Sequence, residues 1–199
     1  KADMTLHNEF LYWKGGDSTE FLSWFLMEKN KVSYREAINH LIAEFPSPNM
    51  QSKLMEKRRM KWENLLKKSV AFYKFQKQLL QKILGDEEIV VYRGLDGQSM
   101  KGLETIERGM KVKLKDDLLS RWSFSEQVAS DFAKGRVTPL GKGEAAGKAV
   151  VLKITVPSNR IWFMEGISWS FSHPFLSEAE VAVDVSDLEA EIIEVYHGK

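Results

Sequence analysis

Between Leu84 and Glu87 the period of the hydrophobic pattern changes, and this change limits the fold more than any other feature of the chain. Upstream, apolar residues recur every three to four positions, the spacing of one helix face. STEFLSWFLMEK (Ser18–Lys29) is one such segment. VSYREAINHLIAEF is another. It opens on a capping box, Ser33 with Glu36 three residues on, and stops before Pro46 and Pro48. From Met50 to Leu84 the set Leu54, Trp62, Leu65, Leu66, Phe72, Phe75, Leu79 and Ile83 keeps the helical period, as one long helix or two with a break, and its other face is basic.

Downstream the pattern becomes that of strands. They are expected at Glu87–Leu95, Met110–Leu114, Leu118–Ser125, Lys148–Val156, Arg160–Met164, Glu180–Val185 and Glu189–His197. A short helix, SEQVASDFAKG, interrupts them and ends at Gly135. A helical front and a strand-rich back, without regular βαβ alternation, make an α+β protein. With 199 residues, 43% of them hydrophobic, the chain can bury a sizeable core as one domain with a helical annex.

The formal net charge of +1 names no partner. Its distribution is uneven: Gln51–Ile83 is rich in Lys and Arg, and the C-terminal stretch leans acidic. The basic stretch Lys53–Lys82 is a solvated helix face or a seat for an anionic partner such as nucleic acid. Its aromatics are expected on the buried stripe, which leaves no stacking platform. The absence of cysteine excludes disulfides, thiolate metal sites and a cysteine nucleophile. His7, His40, His173 and His197 are scattered, so no metal is expected. No run approaches the ~18 apolar residues of a membrane span. The opening KADMTLHNEF has neither an initiator Met nor a signal-peptide pattern, and reads as a piece of something longer.

Three short patterns could carry chemistry. Arg93 ends the apolar strand IVVYRGL, and a half-buried guanidinium there needs an internal partner or a ligand phosphate. Gly94 beside it leaves room for a ligand at the backbone. In RWSFSEQVASDFA, Ser125 suits the N-cap of the following helix, whereas Ser123 points from the strand without a structural duty. In FLSEAEVAVDV, Glu178 and Glu180 share a face if the strand already begins there, since residues two apart point the same way.

In this order, YRG at Tyr92–Gly94, SFS at Ser123–Ser125 followed by VASDFA, and EAE at Glu178–Glu180 followed by VAV resemble the mono-ADP-ribosyltransferases of the R-S-E class. That class includes bacterial toxins and effectors, vertebrate ecto-enzymes and bacteriophage enzymes. The resemblance covers roughly residues 87–197. Phe124 stands where the usual serine motif has Thr; in a strand it faces the core.

The resemblance implies a fold: an N-terminal helical lobe, 1–85, packed on a split two-sheet β core, 86–199, that binds NAD. It implies NAD as substrate, no metal, and a target protein carrying an acceptor arginine. Glu180 would stabilise the ribosyl cation and hold a ribose hydroxyl, with Ser123 orienting it. Arg93 would meet the diphosphate, the Gly94 backbone the nicotinamide amide, and Ser125 would lie at the cofactor. Phe132 would bracket nicotinamide and Arg136 would meet a phosphate, unless Phe132 is core. Glu178 would serve the acceptor, because glutamate two positions before the catalytic one marks arginine acceptors. The aromatic loop Gly166–Ser177, with Trp169, Phe171 and Phe175, would recognise the target or simply pack down. Arg136–Lys148, whose glycines Gly141, Gly143 and Gly147 do not fit a dinucleotide fingerprint, reads as a hairpin loop. Two other readings stay open: an NAD glycohydrolase with water as acceptor, and a catalytically inactive module that binds protein or nucleic acid. Whether such an enzyme is a secreted toxin, an injected bacteriophage protein or a regulatory one is also open.

Overall fold

The computed structural model describes residues 3–4, 17–44, 48–59, 63–95, 106–114, 119–135, 148–164 and 179–197. Contacts divide the chain into two compact units, 11–79 and 1–10 with 80–199. No helix among the described residues is long and apolar enough to cross a membrane.

The first unit is helical: α1 (Asp17–Asn30), α2 (Tyr34–Glu44), α3 (Pro48–Arg59) and most of α4 (Glu63–Leu84). The capping box at α2 forms in full. The Ser33 hydroxyl and backbone N–H donate to the Glu36 carboxylate at 2.7 and 2.8 Å, and Glu36 N–H donates back to Ser33 Oγ at 3.3 Å. Phe21 and Trp24 of α1 pack against Tyr73 of α4, ring centroids 5.4 Å away in each case.

That aromatic cluster settles which ridge of α4 faces inward, and it is not the expected one. Tyr73, Gln76 and Leu80 are buried, whereas Phe72, Phe75 and Ile83 are 47%, 61% and 55% exposed. The segment FYKFQKQLL has apolar residues on two neighbouring ridges, so periodicity alone could not choose between them. Of the described aromatics in the basic stretch, Tyr73 therefore lies on the buried stripe and Phe72 and Phe75 do not.

The second unit is built on a sheet. Its strands are β1 (Asp3–Met4), β2 (Glu88–Leu95), β3 (Lys111–Leu114), β4 (Leu119–Ser123), β5 (Lys148–Pro157), β6 (Ile161–Met164), β7 (Glu180–Asp184) and β8 (Glu189–His197), with α5 (Glu126–Ala133) after β4. The spatial order is β1-β3-β8-β5-β2-β4-β7-β6. Seven strands pair antiparallel, and the two-residue β1 adds to β3 in parallel. The protein is thus α+β, with helices and one antiparallel sheet.

The ladder is uneven. β2 pairs with β5 along its whole length, and β4 with β7 from Leu119↔Asp184 to Ser123↔Glu180. Between β2 and β4 the register is Tyr92↔Ser123 alone. The main core lies on one face on both sides of this joint: Val91, Leu95, Val150, Leu152, Ile154, Val112 and Ile192 from one segment, Trp122, Ile161, Val181 and Val183 from the other. Phe124, the residue after β4, is part-buried and packs against this core.

Helix α5 covers the opposite face. Its Ala129 and Ala133 meet Ala149 and Val151, with Tyr92 alongside. Ser125 caps it, accepting from Val128 N–H at 3.3 Å. Gly135, at φ +68°, follows its end. The far end is pinned to β8: Lys134 Nζ donates to Ser130 Oγ at 2.8 Å, and Ser130 Oγ lies 2.7 Å from Tyr196 Oη. Gly94 allows the close approach, since a Cβ there would come within 1.9 Å of Ala129 O and 2.6 Å of Ala133 N.

Two predictions follow from this packing. Gly94→Ala cannot be relieved by a side-chain shift, because the obstructing atoms are backbone. It should destabilise the protein by about 2–3 kcal/mol, read from the midpoint of urea denaturation. At α2, the Ser33 hydroxyl and then its backbone N–H hold the Glu36 carboxyl below the usual glutamate value. A lowered folded-state value means that the stabilisation is present at neutral pH and lost as pH falls through it. An NMR titration of Glu36 should give a lower midpoint in the wild type than in Ser33→Ala; equal midpoints would refute the assignment.

Candidate functional site

The joint between the two sheet segments gathers part of the expected constellation. Ser123 is the last residue of β4 and Glu180 the first of β7, and they stand directly opposite each other. Side chains so paired lie on one face, with Cβ atoms ~4.5–5.5 Å apart. Both residues are buried, at 5% and 7% exposure. Ser123 Oγ accepts the Ser125 backbone N–H at 3.0 Å, which links the strand end to the capped helix. One strand over, Tyr92 faces Ser123.

The third member of this face was not anticipated. Arg121 Nε lies 2.9 Å from Glu180 Oε1, an ion pair with Arg121 27% and Glu180 9% exposed by side chain. Arg121 sits opposite Ala182, so it reaches Glu180 diagonally, over the distance a long side chain spans on a sheet. The signal was present in the sequence. Arg121 and Ser123 are two residues apart in RWS, the same spacing as Glu178 and Glu180.

Arg93 does not join them. Alternation puts Tyr92 and Gly94 on the α5 face, and Val91, Arg93 and Leu95 on the core face. There Arg93 is part-buried and its Nη1 donates to Ser120 Oγ. Ser120 alternates with Ser123 in the same sense, so this contact and the Ser123–Glu180 pair lie on opposite faces. One partner on that face is thus a hydroxyl.

Gly94 also differs from expectation. The space on its Cβ side is filled by α5 and is not open to a ligand. Ser125 is taken up as helix cap. Phe132 projects from α5 at 38% exposure and is not core.

The glutamate pair needs a further correction. The strand begins at Glu180, and Ala179 before it has φ +46°, in the left-handed region. Ala179 O still accepts Phe124 N–H at 3.1 Å, which extends the β4–β7 ladder by one bond. Strand alternation therefore holds from Glu180 onward. Glu178, Arg136 and the loops 136–147 and 166–177, with Trp169, Phe171, His173 and Phe175, lie outside the described residues. Among the described residues no group of three or more histidines and carboxylates is placed to hold a metal ion.

A left-handed alanine beside a buried carboxylate costs about 1 kcal/mol, held in place by the surrounding ladder. Ala179→Gly should thus be tolerated. Ala179→Val, β-branched in the same conformation, should lower stability by about 1–2 kcal/mol in denaturant titrations. If the two variants proved equally stable, the left-handed turn at EAE would be excluded. No protein-family model, no curated protein and no solved structure matches this chain, so the site stands on its own geometry.

Proposed function

We propose that the protein is a mono-ADP-ribosyltransferase that cleaves NAD at the bond between ribose and nicotinamide and transfers ADP-ribose to an arginine of a target protein. The observation that supports this reading best is the buried carboxylate of Glu180 opposite Ser123 at the single-pair joint of the sheet. The sheet runs without a break across the joint, so the split two-sheet core expected of such enzymes gives this reading no support.

The chemistry follows from the residue types. Nicotinamide leaves with the bonding electron pair, and positive charge develops on the ribose as in glycoside hydrolysis. A preorganised carboxylate beside that cation stabilises the transition state. Glu180 takes this role, and Ser123 faces it. The acceptor guanidinium nitrogen then bonds to the ribose carbon and loses a proton. Nicotinamide departs neutral, and one proton is released per transfer. The resemblance gives that proton to Glu178. It also gives Arg93 the diphosphate, but Arg93 lies on the core face. The proposal therefore assigns Arg93 no step.

The test is nicotinamide release from NAD, with and without agmatine as an arginine-like acceptor. Glu180→Gln should lower kcat by about 10²–10³-fold with the fold intact. Glu178→Gln should keep NAD cleavage and lose the agmatine adduct. No release by the wild type rules out the enzyme and leaves a binding module. Release that agmatine does not alter, with no adduct, assigns a glycohydrolase.

A further inference from the structure

We infer that Arg121 is a positioning residue for Glu180, fixing the orientation of that carboxylate before NAD arrives. The inference rests on the reading of Glu180 as the group that meets the ribosyl cation. It adds a residue that the resemblance does not supply.

Glu180 is the first residue of its strand, and the residue before it turns into the left-handed region. Pairing with β4, which runs on to Ala179, fixes its main chain but leaves the side chain to be oriented by other contacts. A glutamate has three rotatable side-chain bonds, and a carboxylate that must face a developing charge gains little from them unless they are locked. Arg121 can lock them. It lies inside β4, between the buried residues Ser120 and Trp122, on a strand laddered to β7 through five register pairs. Its guanidinium reaches Glu180 Oε1 at 2.9 Å on the face that Ser123 shares. The contact is a close ion pair without the alignment of an Nε–H hydrogen bond, so what holds the carboxylate is a charge at short range, fixed by its place inside β4.

The pair also answers an electrostatic need. A carboxylate at 7% exposure has given up most of its water and requires a compensating cation. Arg93, the arginine singled out by motif, stands on the other face with Ser120. Arg121 supplies the charge where Glu180 is.

Steady-state kinetics of nicotinamide release separate this role from its rivals. Arg121→Met, which removes the charge, should lower kcat by about 100-fold with KM for NAD within about twofold of wild type, the size expected for a misplaced catalytic group. Arg121→Lys, which keeps the charge on a less well placed ammonium, should recover part of that loss, to about tenfold below wild type. Circular dichroism and a melting curve confirm that each variant is folded, and Arg121→Lys carries the test should Arg121→Met not fold. A folded variant that turns over at the wild-type rate gives Arg121 a purely structural role and overturns the inference. A raised KM at unchanged kcat moves Arg121 to cofactor binding and overturns it equally. In both of these cases an active wild type and an inactive Glu180→Gln leave the transferase reading standing. An inactive wild type removes that reading first, and this inference with it.

Discussion

The site depends on one register pair, Tyr92↔Ser123. On one side β2 is bound to β5 along its whole length, and on the other β4 is bound to β7. Each ladder is continuous by itself, and the two meet at that one pair. Ser123 belongs to both pairings, so its position is fixed by Tyr92 and by Glu180 together. The chain leaves the sheet immediately afterwards, and Ser125 turns it into α5. That helix folds back over Gly94, two residues from Tyr92, where only a missing side chain lets it approach. Strand end, helix start and buried carboxylate are thus consequences of one junction.

The junction also sorts charge between two faces. An antiparallel strand presents alternate residues to opposite sides, and two arginines use both. Arg121 is committed to Glu180 on the helix-covered face, and Arg93 to a hydroxyl on the core face. Burying a carboxylate is unfavourable unless a cation and good geometry compensate, so the Arg121–Glu180 pair is weak evidence of a stability device. It makes better sense as specification: a charge held in one place on a surface otherwise closed by alanine, serine and tyrosine.

Much of the architecture was legible in the order of residues. The seven longer strands, the capped helix after SFS, the capping box at Ser33 and the inward-facing Phe124 all follow local rules, which act within a few residues. The two-residue β1 carries no such pattern, because a strand that short has no period to read. The inward ridge of α4 was misread for a related reason. Two apolar ridges run side by side there, and only Phe21 and Trp24 of another helix decide that Tyr73 goes in and Phe72 stays out. Gly94 was read as room for a ligand; a single strand gives no sign that a helix will occupy that room.

At the site itself, sequence determined the residue types and the alternation of each strand, because side-chain direction in a strand is a local property. It determined that Ser123 would differ from Ser125, and that Glu180 would open an apolar run. Tertiary structure decided the rest, since register between distant strands depends on long-range packing that no local pattern encodes. It set Ser123 opposite Glu180 and brought Arg121 into contact with that carboxylate. It left Arg93 across the sheet. The turn at Ala179 likewise ended the strand one residue after Glu178, because the ladder with β4 holds a left-handed alanine that local preference would refuse.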